Sequence, residues 1–189
     1  MFNDKSPTVM EKYRTIVVDP PWRMPSGGAA NAASWDAGRK PSTLPYETMS
    51  VFDVEALPVK DLADDEAHLY LWTVNAWLES SYEIVRTWGF KPSQLLVWAK
   101  TPRGLGLGGA FTNTTEFVIF GWRGSCNPLE RQDSSWWNWK RGPHSAKPEA
   151  FMDMVERVSP VPRLEMFARR NRLGWDTFGN ESLQHVTLA

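Results

Sequence analysis

The strongest constraint on how this 189-residue chain can fold is a set of short segments that are apolar at nearly every position. Ala67–Trp72 reads A-H-L-Y-L-W, Gln94–Lys100 reads Q-L-L-V-W-A-K, and Thr115–Trp122 reads T-E-F-V-I-F-G-W. Successive side chains on a strand point to opposite faces, so a strand apolar on both parities must be covered on both. Thr15–Val18 and Arg163–Ala168 have the same character, and five strands are expected. Helical segments lie between some of them. Ser50–Ala56 opens with Ser50 and carries Asp53 three residues on, the pattern of a capping box. Asn75–Trp88 sets Ala76, Leu78, Tyr82, Val85 and Trp88 at helical spacing and stops at Gly89. Pro148–Val158 has Pro at a helix start, an apolar face through Phe151, Met154, Val155 and Val158, and Pro160 just beyond. Strands alternating with helices predict an α/β sandwich with a largely parallel sheet.

Composition removes several function classes. The formal net charge of −1 argues against a broad electrostatic footprint on nucleic acid, though not against a local basic site. One cysteine, Cys126, excludes a disulfide and a thiolate zinc cluster, and three separated histidines leave metal binding unsupported. The first ten residues have no apolar core of a signal peptide, and no apolar run approaches about 18 residues. A cytoplasmic protein without membrane association is expected. We read residues 1–189 as a single domain with two long loops, at about 23–45 and 123–143. Loops of that length are usually functional or disordered. The second carries Trp136, Trp137 and Trp139 beside Arg131, Lys140 and Arg141. Such a mixture suits a nucleic-acid surface; it equally suits a loop pinned by its own tryptophans.

The first expected strand ends in Asp19-Pro20-Pro21-Trp22. Ligands of open α/β sheets gather at the C-terminal ends of strands. The prolines rigidify this end and have no N–H, so the local backbone offers carbonyl acceptors with few competing donors. Asp19 adds a carboxylate and Trp22 an apolar ring. Such a cluster suits a planar heterocycle bearing an exocyclic amine. The Asp19 carboxylate and the Pro20 carbonyl can each hold one amino hydrogen, favouring a more tetrahedral nitrogen with a free lone pair. Asp19 can then accept the surplus proton. The plain alternative is a strand-ending turn with Trp22 in the core.

Further along come Y-E-T-M-S at Tyr46, H-L-Y-L-W-T at His68, W-G-F at Trp88, L-V-W-A-K at Leu96, T-E-F-V-I-F-G at Thr115, H-S-A-K-P-E at His144, V-E-R-V-S-P at Val155, and R-L-E-M-F-A-R-R with G-W-D-T-F-G-N-E near the end. In this order and spacing, from about Arg14 to Glu181, the chain resembles the MT-A70 family of S-adenosylmethionine-dependent adenine N6-methyltransferases. The resemblance implies a Rossmann-like methyltransferase sandwich with helices on both faces. The motif order is permuted: the catalytic tetrapeptide comes first and the cofactor strand last.

It also implies roles. Asp19, Pro20, Pro21 and Trp22 form the catalytic cluster. S-adenosylmethionine is contacted by Asp19, Lys147, Glu165, Phe167, Arg169, Asn180 and Glu181. The base is met by Trp22, Tyr46, Glu116, His144 and Lys147, with Ser145 a weaker candidate. One or more of Arg169, Arg170 and Arg172 belong to a solvated run. Gly104, Gly106, Gly108 and Gly109 precede a strand rather than a helix and read as a loop, not a phosphate cradle. The partner implied is nucleic acid, its target base extruded or single-stranded. DNA is favoured over RNA because the compact form looks like bacterial or phage relatives. Alternatives are a cytosine N4-methyltransferase and a catalytically silent subunit of a methyltransferase complex; a homodimer or a paired subunit is compatible with the family.

Overall fold

The computed structural model describes residues 12–24, 48–100, 111–140 and 146–179. Among these residues seven strands form one sheet: β1 (Tyr13–Val18), β2 (Ala63–Thr73), β3 (Lys91–Ala99), β4 (Thr115–Arg123), β5 (Trp136–Trp137), β6 (Arg163–Met166) and β7 (Asp176–Phe178). Their spatial order is β5-β3-β4-β2-β1-β6-β7. Only β4 runs against the rest, pairing antiparallel with both β2 and β3. The helices are α1 (Val51–Glu55), α2 (Val59–Leu62), α3 (Leu78–Thr87) and α4 (Glu149–Val158).

Strand parity explains the layers. Ile16, Val18, Leu69, Leu71, Leu164 and Met166 point to one side, where Val54 of α1 and Ile84 and Val85 of α3 cover them. Val17, Tyr70, Trp72 and Val118 point to the other, beneath Phe151, Met154 and Val155 of α4. Both faces are buried along β1 and the second half of β2, as continuous apolar strands require; β3, nearer the sheet edge, buries only Trp98 and departs from that expectation. The fold is the expected Rossmann-like sandwich. Ser50 caps α1 with the expected box: its hydroxyl accepts from the Asp53 N–H at 3.2 Å, and Asp53 accepts from the Ser50 N–H at 2.9 Å. The segment expected as one helix over Asn75–Trp88 opens with a 3-10 turn at Asn75–Trp77 before α3. α2 and β7 add to the expected elements; each is too short to carry a periodic signal in the sequence.

The long loop expected at 123–143 needs correction where it is described. Trp136 and Trp137 form β5, parallel to Val97 and Trp98. Trp137 stacks on Trp139, with centroids 4.8 Å apart and planes 9° apart, and the Trp98 indole donates to the Trp139 carbonyl at 2.8 Å. These rings extend the sheet and pin the chain; Trp136 alone stays largely exposed. Much of the loop at 23–45 and the four glycines of 104–109 lie outside the described residues.

Candidate active site

β1 ends at Val18, and the next residue on the parity of Val17 is Asp19. Parity likewise puts Glu116 of β4 with Val118, on the α4 side. Lys147 enters this face just ahead of α4, whose N-cap is Pro148. The three side chains meet. The Lys147 ammonium lies 2.7 and 2.8 Å from the two Asp19 carboxylate oxygens and 3.5 Å from Glu116 Oε2. It also sits 4.9 Å over the Trp72 ring. Lys100, just past β3, closes on the other Glu116 oxygen. Each of the four side chains is only about a fifth exposed.

Alternating charge is what makes this burial tolerable. Burial works against the Lys147 cation, but Asp19 and Glu116 outweigh it and hold the amine above its ordinary range. Burial likewise opposes the Glu116 anion, and Lys147 and Lys100 outweigh it, holding the carboxyl below its ordinary range. Glu165 of β6 differs. It is partly buried and carries no side-chain hydrogen bond among the described residues. Burial and the nearby Asp19 charge push its carboxyl up to about 7.

A cavity of about 660 Å³ opens along these residues at the ends of β1 and β6. Its wall includes Asp19, Pro20, Pro21, Trp22, Glu116 and Lys147, and also Phe167 and Arg169. Eight expected site residues thus share one space, and Glu165 stands outside its wall. Tyr46, His144, Ser145, Asn180 and Glu181 lie outside the described residues. Phe167 has φ 65°, a left-handed backbone that costs a bulky residue energy, and rests edge-on against Phe178 with centroids 6.0 Å apart. Gly179 completes that wall: a Cβ there would come within 2.1 Å of the Ala168 carbonyl oxygen. Of the arginines, Arg170 pairs with Glu149, and Arg172 binds Glu156 at 2.6 and 3.0 Å and Glu149 at 2.9 Å. Arg170 is half exposed, the solvated member expected of the three; Arg172 is only 22% exposed and fastens the chain after β6 to α4.

The tetrapeptide differs from its sequence reading in detail. Its acceptors do have competing donors. The Trp22 N–H turns back onto the Pro20 carbonyl at 2.8 Å, the Met49 N–H takes the Pro21 carbonyl at 2.8 Å, and Lys147 covers Asp19. A carbonyl has two lone pairs, so Pro20 keeps one. Trp22 is 8% exposed, belongs to the core, and donates its indole N–H to the Trp72 carbonyl at 3.0 Å. It supports the cavity more than it spreads into it. Two contributors to the site escape the sequence reading. Trp72 and Lys100 read there only as strand residues within sequence blocks, with no role in the site; extending strand parity through Trp98 to Lys100 is the signal that marks the lysine.

Chemically, the cavity wall combines an anion and a cation with aromatic and proline surface. That donor set fits S-adenosylmethionine: Asp19 and Lys147 match an ammonium and a carboxylate, and the volume lies within the range of ligand pockets. Among the described residues no cluster of three His, Cys, Asp or Glu could hold a metal ion, and no helix is long and apolar enough to cross a membrane.

Comparison with known proteins agrees. The chain is 29% identical over 187 residues to the type II methyltransferase M.MunI of Mycoplasma, an alignment covering 90% of this chain and 78% of that one. It is 28% identical over 184 residues to an N(6)-adenosine-methyltransferase MT-A70-like protein of Drosophila melanogaster, and 24% identical over 192 residues to the human N(6)-adenosine-methyltransferase catalytic subunit METTL3. These alignments cover 92% of this chain but only 28% and 29% of the two relatives, so the chain spans under a third of their length. The MT-A70 family profile matches residues 13–181, and the chain belongs to the MT-A70 family.

Proposed function

We propose that this protein transfers a methyl group from S-adenosylmethionine to the N6 amine of adenine in nucleic acid, DNA being the favoured polymer. The observation that carries the reading is the Asp19–Lys147 pair, held at a strand end inside a cavity of about 660 Å³. Family membership and the names of the Drosophila and human relatives support adenine N6 as the target. The compact Mycoplasma relative, matched over most of its length, is in keeping with the DNA preference.

The residues act as follows. Lys147 and Asp19 orient the methionyl end of the cofactor, while Phe167, Arg169 and Glu165 hold its nucleoside end, with Asn180 and Glu181. The cofactor supplies an electrophilic methyl on a sulfonium. One Asp19 oxygen and the remaining Pro20 lone pair accept the two amino hydrogens, so that the nitrogen lone pair leaves the ring plane. Nitrogen forms its bond to the methyl carbon as the carbon–sulfur bond breaks, and Asp19 takes the surplus proton. Glu116, Tyr46 and His144 border the base, and Trp22 backs it. Paired bases hide N6, so the target is single-stranded or extruded.

Labelled-methyl transfer to matched DNA and RNA oligomers, followed by nucleoside analysis, tests this. N6-methyladenine from DNA is the expected product, and Asp19→Ala lowers its rate by about 10²-fold or more, the loss expected when a group acting in the transition state is removed. N4-methylcytosine alone, or an unimpaired Asp19→Ala enzyme, overturns the reading.

A further inference from the structure

Both Asp19 oxygens are engaged by the Lys147 ammonium, at 2.7 and 2.8 Å. An incoming amine needs at least one of them. Within reach of Lys147 is a second carboxylate, Glu116, already 3.5 Å away. Glu116 can take a larger share of Lys147 only if it is ionised and turned toward it. The group that secures both conditions is Lys100, on the far oxygen of Glu116. Lys100 follows β3, is only 22% exposed, and does not line the cavity. Its backbone N–H donates to the Thr114 carbonyl at 2.9 Å, and its ammonium lies 5.6 Å over the Trp98 ring, so its direction is set from both sides.

We infer that Lys100 is a positioning residue for methyl transfer: from behind the cavity wall it holds Glu116 as an anion facing Lys147, so that Lys147 can move from Asp19 to Glu116 when the target amine arrives. This rests on the proposed methyltransferase function. Among the described residues, the charged groups around Glu116 are Lys100 from the end of β3, Lys147 ahead of α4, and, beyond Lys147, Asp19 at the end of β1. β2 faces this space with the uncharged Trp72 and Thr73. Two cations therefore keep Glu116 ionised, and only one of them is free of the reaction. Without Lys100, burial is opposed by Lys147 alone, the Glu116 carboxyl rises, and Lys147 stays on Asp19 at the acid end of the working range.

The test uses the whole protein with Lys100→Met and Lys100→Arg substitutions. Glu116 is titrated by the carboxyl carbon signal of labelled glutamate, assigned with Glu116→Gln, and the pH profile of kcat/KM is recorded. We expect Lys100→Met to move the Glu116 midpoint upward and to lower kcat/KM by roughly tenfold at the acid end relative to the alkaline end, the loss that follows when a midpoint climbs by about one on the pH scale. Lys100→Arg restores both. A Lys100→Met protein whose Glu116 midpoint and profile shape match the wild type overturns the inference, even if its melting temperature falls, because loss of packing alone moves neither. Should the wild type methylate nothing, the functional reading fails while the glutamate titration still decides whether Lys100 governs Glu116.

Discussion

At the scale of single residues, the site sets two carboxylates in opposite environments. Glu116 lies between two cations and stays ionised; Glu165 has none in contact among the described residues and is pushed up to about 7. Between pH 4.5 and 7 the folded protein keeps a proton on Glu165 that the unfolded chain has lost. Its contribution to stability therefore falls as pH rises through that window. Glu165→Gln removes this penalty. Thermal unfolding should show the variant more stable than wild type at pH 8, by at most about 3 kcal/mol, and not at pH 4.5. The same variant should bind S-adenosylmethionine more weakly, because the carboxylate that destabilises the free protein is the one proposed to accept from the cofactor. Wild-type affinity, followed by calorimetry, should tighten as pH rises through 7, and the variant should flatten that rise. A Glu165→Gln protein with unaltered cofactor affinity at pH 8 removes Glu165 from the site. Asp19 was legible because the acid and two prolines set acceptors at a strand end, where ligands of open α/β sheets gather. The Lys147 cover on it was not, since the two lie 128 residues apart and only the fold joins them.

At the scale of elements, the cavity depends on how the end of β6 meets β7. The Ala168 N–H donates to the Phe178 carbonyl at 3.0 Å, and Gly179 lies so close that no side chain fits. Gly179→Ala must push the strand ends apart, and with them the Phe167–Phe178 wall. Overpacking of this kind costs about 1–3 kcal/mol. The variant should melt lower, and its cofactor affinity should fall further than its affinity for nucleic acid, as paired calorimetric titrations would show. The longer elements were readable because each is long enough to carry a signal: the continuous apolar runs of β2, β3 and β4, and the periodic stripes of α3 and α4. β5 and β7, of two and three residues, carry no period. They exist because a neighbouring edge accepts them. The tryptophans at 136–139 were legible as a cluster, but whether they bind a partner or one another is decided by β3 offering Val97 and Trp98 as an edge.

At the scale of the whole molecule, the cavity is not the property of one segment. Asp19 comes from the first strand, Glu116 from the reversed strand, Lys147 from the approach to α4, and Phe167 and Gly179 from the turn after β6 and the end of β7. β1 lies between β2 and β6, so the two sides of the site are built on strands that are neighbours in space and far apart in sequence. A ligand filling this space bridges elements that separate only when the sheet itself unfolds, and its binding should stabilise the entire fold rather than one loop. With S-adenosylmethionine at about one hundred times its dissociation constant, the gain is about 2.7 kcal/mol. For a domain of this size that raises the melting midpoint by about 5–10 °C, in a single transition whose midpoint climbs with the logarithm of ligand concentration. Asp19→Ala removes one anchor and should keep part of the rise; a double change at Asp19 and Glu165 should remove nearly all of it. A wild-type midpoint that stays fixed at saturating cofactor means that these distant segments do not close on a shared ligand.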